Sequence, residues 1–399
     1  MIIPRWARTR LDFDRMCRTD FESDEYIVDV RHVFGQALPD GVASIIEVST
    51  TASSVEVLFE RLSERAVLLW DTDFTNRLDG LLALIFCDEQ DGDASVHQAL
   101  GLAAYSNLAA SIFLKKDPAV AQFILRLTDE FMPESLSVTV DDDHRMDRYR
   151  RLIRVYVALH ELAHILYRVL PEMIPEIDER IRSTIANIHP SHSDKRKREL
   201  TPVDQELQEK GLLVKDHELG DVVAQIRRHL QRPNDYEEIW CDVFASEHLL
   251  GWADEHGYKA EECVVADDLL HLMLAGRMQW FCFWDRSVKI QDWRQSGRLS
   301  NHENRANIRG LLMAANAAQS WGANQSGPEP HEVSSAFAAL VSAEGDTLKK
   351  RFVDRNHFSL GLLGGLDREE MFERANLGWS RLSVAGQDSA IGEMLTSLS

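Results

Sequence analysis

The sequence predicts an α+β fold dominated by helices, and three observations carry that expectation. The first third holds two short aliphatic runs of strand length, ASIIEVS and AVLLWD. Much of the remainder spaces its apolar residues by three and four, the period of a helix with one buried face. Hydrophobic residues fill 44% of the 399 positions, enough for a substantial core spread over two or three structural units.

In chain order, SSVEVLFERLSE lies between the two aliphatic runs and carries apolar residues at helical spacing, which suggests a β-α-β unit. From Phe74 to about Phe131 the pattern is helical, with QALGLAAYSNLAASIFL as a core helix. After Pro133, SLSVTV alternates like an exposed strand, and the aspartates at 141–143 can cap a following helix. That helix shows one continuous face, Tyr149, Leu152, Ile153, Tyr156, Val157, His160, His164 and Tyr167, up to Leu170; Pro171 and Pro175 stop it. A charged stretch from about Ile188 to Lys215 reads as a solvated loop or insertion. A second helix, NDYEEIWCDVFASEHLLGW, starts behind Asn234 or Asp235 as its cap, and MQWFCFWD in the helix after it reads as core packing. The segment ANQSGPEP, 323–330, reads as a linker. The expected organisation is thus a mixed α/β and helical region over 1–134, a core over 135–322 with an insertion at about 188–215, and a helical appendage over 331–399.

Composition excludes several function classes. With 44 basic and 65 acidic residues the net charge is -21, which argues against general affinity for nucleic acid or an anionic membrane. Cys17, Cys87, Cys241, Cys263 and Cys282 include no C-x-x-C pair, so neither a disulfide framework nor a thiolate zinc site is expected, and a reducing cytoplasm fits. The opening MIIPRWARTRLDFDRM has no apolar stretch behind it, and no run approaches the roughly 18 apolar residues that span a bilayer. A cytoplasmic protein without membrane segments is the expectation.

The chemistry concentrates in RVYVALHELAHILYRVL, residues 154–170. Residues four apart on a helix share a face, so His160 and His164 can aim their imidazoles at one ion. Zinc takes neutral imidazole at about 2.0 Å in a tetrahedral shell, which two such histidines half fill. Glu161 is placed to accept a proton from the attacking water. A third protein ligand is needed, and the second helix offers Glu238, with Asp242 four residues on able to steady one histidine through its other ring nitrogen. Glu237, Glu247 and His248 compete for the same role.

HELAH followed by EEIWCDVFASEHLL resembles the gluzincin group of zinc metallopeptidases, whose third ligand opens an E-x-x-x-D pattern that Glu238 and Asp242 match. DVFASEHLL is similar to soluble bacterial peptidases of the ImmA/IrrE family, and HELAH behind an acidic helix start resembles the Lit phage-exclusion peptidases. A third stretch, LSNHENRANIRGLL, resembles the segment that follows the zinc ligands in HtpX-like peptidases, although Glu303 stands where those have proline and the arginine is offset. The resemblance covers three islands between about 135 and 315. It implies a zincin-like catalytic core with a small β-sheet and added helical regions, a zinc cofactor on His160, His164 and Glu238, and Asp242 behind them. It also implies Glu161 as base, with His302 and Arg309 as further catalytic groups; Tyr236 is another candidate for the oxyanion.

The expected activity is intracellular, zinc-dependent cleavage of a peptide bond in a specific protein target, with stress or phage defence as the setting the resemblance implies. An edge strand, SLSVTV or AVLLWD, would hold the extended substrate. The alternatives are a regulatory or sensing module of the same fold acting by protein interaction without proteolysis, and a metal-free helical scaffold. Cobalt, nickel or manganese would tolerate the same ligands. Oligomeric state is not legible.

Overall fold

In the computed structural model both aliphatic runs are strands, and the segment between them contributes a third. The structure describes residues 22–38, 41–49, 55–60, 65–86, 143–191, 233–284, 310, 313–322 and 330–365, with isolated positions between 105 and 124. Strands β1 (Ala43–Val48), β2 (Glu56–Phe59) and β3 (Ala66–Asp71) form one sheet in the order β1-β3-β2. The central β3 runs parallel to β1, with Ile45 opposite Leu68, and antiparallel to β2, with Leu58 opposite Val67. The expected helix over SSVEVLFERLSE is therefore wrong at 56–59. Val55, Val57 and Leu58 suit either period over so short a run, and pairing with β3 decides it. AVLLWD is also not an edge: all six of its residues are buried, and β1 and β2 flank it.

Around this small sheet the described chain is mostly helical, in agreement with the expected class. Helices α1 (Ile27–Ala37) and α2 (Thr72–Phe86) belong to the sheet region, and α3 (Asp143–Val169) carries HELAH. It ends before Pro171, as the sequence predicts. A short 3-10 turn, Pro171–Met173, then leads directly into α4 (Ile174–Ser191), so Pro175 lies in the first turn of a new helix, where its missing N–H costs little. That helix also covers 188–191, the start of the expected loop. Helix α5 (Pro233–Glu255) packs along α3, and α6 (Ala260–Trp284) touches α2, α3 and α5. Gly257 makes the turn between them: at φ 73° it takes the left-handed conformation, while Tyr258 N–H reaches the Ala253 carbonyl at 2.8 Å and Gly257 N–H that of Asp254 at 3.3 Å. The expected core role of the aromatic stripe holds at Trp280 and Phe281, both buried. Helix α7 (Pro330–Gly365), in the expected appendage, packs on α6 and α2 and buries Phe352 completely.

Two sets of residues set the position of α3. Its apolar face buries Leu152, Ile153, Val155, Leu159, Leu162 and Ile165, each contributing on the order of 1.5–3 kcal/mol by leaving water. Its basic first half supplies arginines three apart, each clasping a different neighbour. Arg145 meets Glu344 of α7 at 2.7 Å, Arg148 meets Glu262 of α6 at 2.6 Å, and Arg151 meets Asp29 of α1 at 2.6 Å. Arg154, buried, joins Asp24 before α1 and Asp79 on α2. Among the described residues no helix is long and apolar enough to cross a membrane. Cys241 and Cys263 are buried free thiols.

Candidate metal centre

The i,i+4 relation on α3 brings the two imidazoles together, with ring centroids 4.9 Å apart and planes nearly perpendicular. Helix α5 lies alongside and delivers Glu238 between them. His160 Nε2 is 3.5 Å from Glu238 Oε2, and His164 Nε2 is 3.7 Å from Glu238 Oε1. The three donor atoms fall within 4.8 Å of one another. In a tetrahedral zinc shell with bonds of about 2.0–2.1 Å, neighbouring ligand atoms lie about 3.3 Å apart, so the two shorter separations need only a small contraction. The donor set, two neutral nitrogens and a carboxylate, is one that zinc accepts. His160 and His164 side chains are 14% and 16% exposed and that of Glu238 is 36% exposed, so the cluster is open on the carboxylate side.

The outer ring nitrogens are handled as carefully as the inner ones. His160 Nδ1 lies 2.9 Å from Asp242 Oδ1, an atom that also accepts a hydrogen bond from the Tyr156 hydroxyl at 3.2 Å. His164 Nδ1 is hydrogen-bonded to Glu237 Oε1 at 3.0 Å. Arg168 donates to the same Glu237 oxygen at 3.2 Å. The His164 imidazole, and behind it Arg168, hold the Glu237 carboxyl below the usual carboxylate range against the opposing effect of burial. A carboxylate at each Nδ1 favours the N–H there and leaves the Nε2 lone pairs facing Glu238, the tautomer a metal ligand needs.

The expected third ligand, Glu238, and its helper Asp242 are thus where the sequence places them. The competitors are elsewhere or differently employed. Glu237 turns to the outer nitrogen of His164, Glu247 pairs with Arg180 of α4, and the His248 ring stacks on Phe244 with Nδ1 2.9 Å from that residue's carbonyl. Tyr236 packs against Tyr167, with ring centroids 6.4 Å apart. His302, Arg309 and SLSVTV lie outside the described residues.

Glu161 lines a cavity of about 180 Å³ together with Tyr156, Val157 and His160 of α3. Leu270, His271, Leu274 and Arg277 of α6 line it as well, with Val55 and Phe74. Burial pushes the Glu161 carboxyl above its usual range, with Glu238 and Glu56 adding to the effect and His160 and His164 opposing it. His271 and Arg277 were not singled out in the sequence. His271 Nδ1 is 2.8 Å from the Asp267 carbonyl and 3.2 Å from its carboxylate, which is fully buried, so this ring is oriented from the preceding turn of α6. The sequence signal was the one that exposes HELAH: titratable residues at helical spacing inside an apolar helix, here ADDLLHLMLAGRMQW. No protein-family model, curated protein or solved structure matches the chain.

Proposed function

We propose that the protein is a zinc-dependent peptidase of the gluzincin type, cutting a peptide bond in a protein substrate. The observation that carries this reading is the paired arrangement of the histidines: both Nε2 atoms converge on Glu238 while both Nδ1 atoms face carboxylates, Asp242 and Glu237. A pair of satisfied core histidines has no need of three acids from one neighbouring helix. The resemblance of HELAH and E-x-x-x-D to gluzincins supports the same reading, and the small sheet beside a helical site is compatible with a zincin-like core.

His160, His164 and Glu238 would hold the ion, which when bound supplies Lewis acidity, lowering the pKa of water towards about 7 and polarising a carbonyl. Glu161, in the adjoining cavity, accepts the water's proton and returns it to the departing amine. His271, across that cavity, can donate a hydrogen bond to the developing oxyanion when its Nε2 is protonated, with the Asp267 carboxylate stabilising the imidazolium. Of the two strands at the edges of the sheet, β2 touches α3, and Val55 just before it lines the cavity, so this edge would pair with an extended substrate in the role first assigned to AVLLWD.

The test is to incubate zinc-replete, metal-stripped and zinc-restored protein with a cell lysate and map new peptide termini. The peptidase reading expects one zinc per chain and a narrow set of termini that disappears on stripping and returns with zinc. Bound zinc with no new termini would favour the non-proteolytic regulatory module, and absence of zinc would favour the metal-free scaffold.

A second expectation separates the two adjacent glutamates. Glu238→Ala removes a ligand and should abolish stoichiometric zinc binding. Glu237→Ala removes only the partner of His164 Nδ1, and should weaken affinity about 10–100-fold. Competition with a chromophoric chelator reads both, and a reversed order would exchange their roles.

A further inference from the structure

The two carboxylates behind the candidate centre are each held by a second donor from α3. Tyr156, His160, His164 and Arg168 stand at intervals of four, one above the other along that helix. Asp242 Oδ1, 2.9 Å from His160 Nδ1, also accepts from the Tyr156 hydroxyl, one turn before that histidine. Glu237 Oε1, 3.0 Å from His164 Nδ1, also accepts from Arg168, one turn beyond that histidine. The inner pair of this stripe meets Glu238, and the outer pair grips the carboxylates that steady the rings. The two grips differ in their surroundings. Tyr156 and Asp242 are buried, whereas the Arg168 side chain is 53% exposed, and an exposed ion pair alone contributes little. Arg168 has a further restraint, because its guanidinium lies over the Phe59 ring of β2, 4.4 Å from the centroid. It is thereby fixed on two sides, against α5 and against the sheet.

Resting on the reading of His160, His164 and Glu238 as zinc ligands, we propose that Tyr156 and Arg168 are positioning residues of the centre, each orienting one histidine through the carboxylate it grips. Two effects oppose each other. A second donor on the same oxygen weakens the pull of that oxygen on the ring N–H, and the Arg168 charge repels a cation. Against this, the donor fixes where the oxygen stands. Orientation wins at Glu237 because a glutamate left with one partner regains freedom about several torsions, and a ring that turns with it presents its Nε2 lone pair off line. It wins at Asp242 because a buried carboxylate that loses a donor has no water to replace it and shifts to find another.

The test is zinc affinity at one fixed pH, read by competition with a chromophoric chelator, which needs no substrate. Tyr156→Phe and Arg168→Met should each weaken zinc about 3–10-fold, less than the loss of a direct partner of a ligand ring, and Arg168→Lys should recover part of the deficit. Double variants give the deciding readout. Tyr156→Phe should change affinity by less than about twofold once Asp242→Ala is present, and Arg168→Met likewise with Glu237→Ala. The crossed pairs, Tyr156→Phe with Glu237→Ala and Arg168→Met with Asp242→Ala, should instead multiply their single effects. A residue that merely stabilises the fold would cause the same loss in both backgrounds. If Asp242→Ala does not fold, the two comparisons made with Glu237→Ala carry the test. Unchanged or tighter zinc binding in either single variant, or losses that ignore the background, overturns the proposal while leaving the ligands in place. A wild type that binds no zinc removes the metal reading itself, and this proposal with it.

Discussion

Glu161→Gln is expected to bind zinc as the wild type does and to lower peptide hydrolysis about 10²–10⁴-fold, the usual contribution of a general base. The replacement is nearly isosteric, so the packing of α3 and the positions of His160 and His164 should persist. It removes the one property the reaction needs at that position, an oxygen able to accept and return a proton. Glu161 and His160 both line the cavity shared with α6, while Glu238 of α5 approaches the Nε2 atoms of His160 and His164, so Glu161 stands outside the three-residue donor cluster. Under the proposed reading, this is why the base and the ligands should be separable by mutation. Zinc stoichiometry and cleavage rate, measured on the same preparation, give the check. Cleavage at the wild-type rate would remove Glu161 from the chemistry, and loss of zinc would make it a ligand.

The centre was legible in the sequence wherever one helix sufficed to define it. His160 and His164 share a face because of the helical period alone, and Glu238 and Asp242 share one for the same reason. The rotation of α5 about its axis was not legible, because it depends on packing against α3. Adjacent positions on a helix differ by about 100°, so a modest rotation would exchange the parts of Glu237 and Glu238. The structure resolves this, giving each of the two glutamates a different nitrogen of His164. Helix α6 was read as core because its aromatic residues dominate it, and Trp280 and Phe281 are indeed buried. The same helix turns His271 and Arg277 towards Glu161, a relation across elements that no local spacing encodes. Strand β2 escaped for a related reason: four residues are too few for a period to declare itself, and its identity comes from β3.

The arginines of α3 were also visible only as a basic helix start, yet one of them carries the largest expected effect on stability. Arg154→Met should destabilise the fold by about 3–5 kcal/mol at neutral pH, the cost of leaving buried charge without its partner. The side chain is 3% exposed and bridges three parts of the structure. Its Nε reaches both Asp24 oxygens at 3.1 Å, and its two Nη atoms reach the Asp79 oxygens at 2.8 and 2.7 Å. Trp70 of β3 completes the cluster by donating to Asp24 at 2.9 Å. Burial pushes the Asp24 carboxyl up, but the Arg154 charge and hydrogen bonds from Trp70, Tyr26 and Thr75 outweigh it and hold the group below its ordinary value of 3.8. In the wild type, then, Asp24 contributes stability that is present above its unfolded pKa and is lost as pH falls through the lower folded value. Removal of Arg154 takes away the largest of the effects that lower the Asp24 pKa. The folded pKa therefore rises relative to the wild type, and Asp24 loses part of the stability it contributes at neutral pH. The difference between variant and wild type, measured by urea unfolding, should accordingly narrow as pH is lowered from 7 towards about 4. Arg154→Met combined with Asp24→Asn and Asp79→Asn should recover much of the loss at neutral pH, since no buried charge is then left unmatched. A penalty that is independent of pH and persists in the triple variant would assign the role of Arg154 to packing instead. Arg154 stands six residues ahead of His160 on the same helix, so the cluster that fixes α3 to α2, β3 and the chain before α1 also sets where the first imidazole is presented to α5.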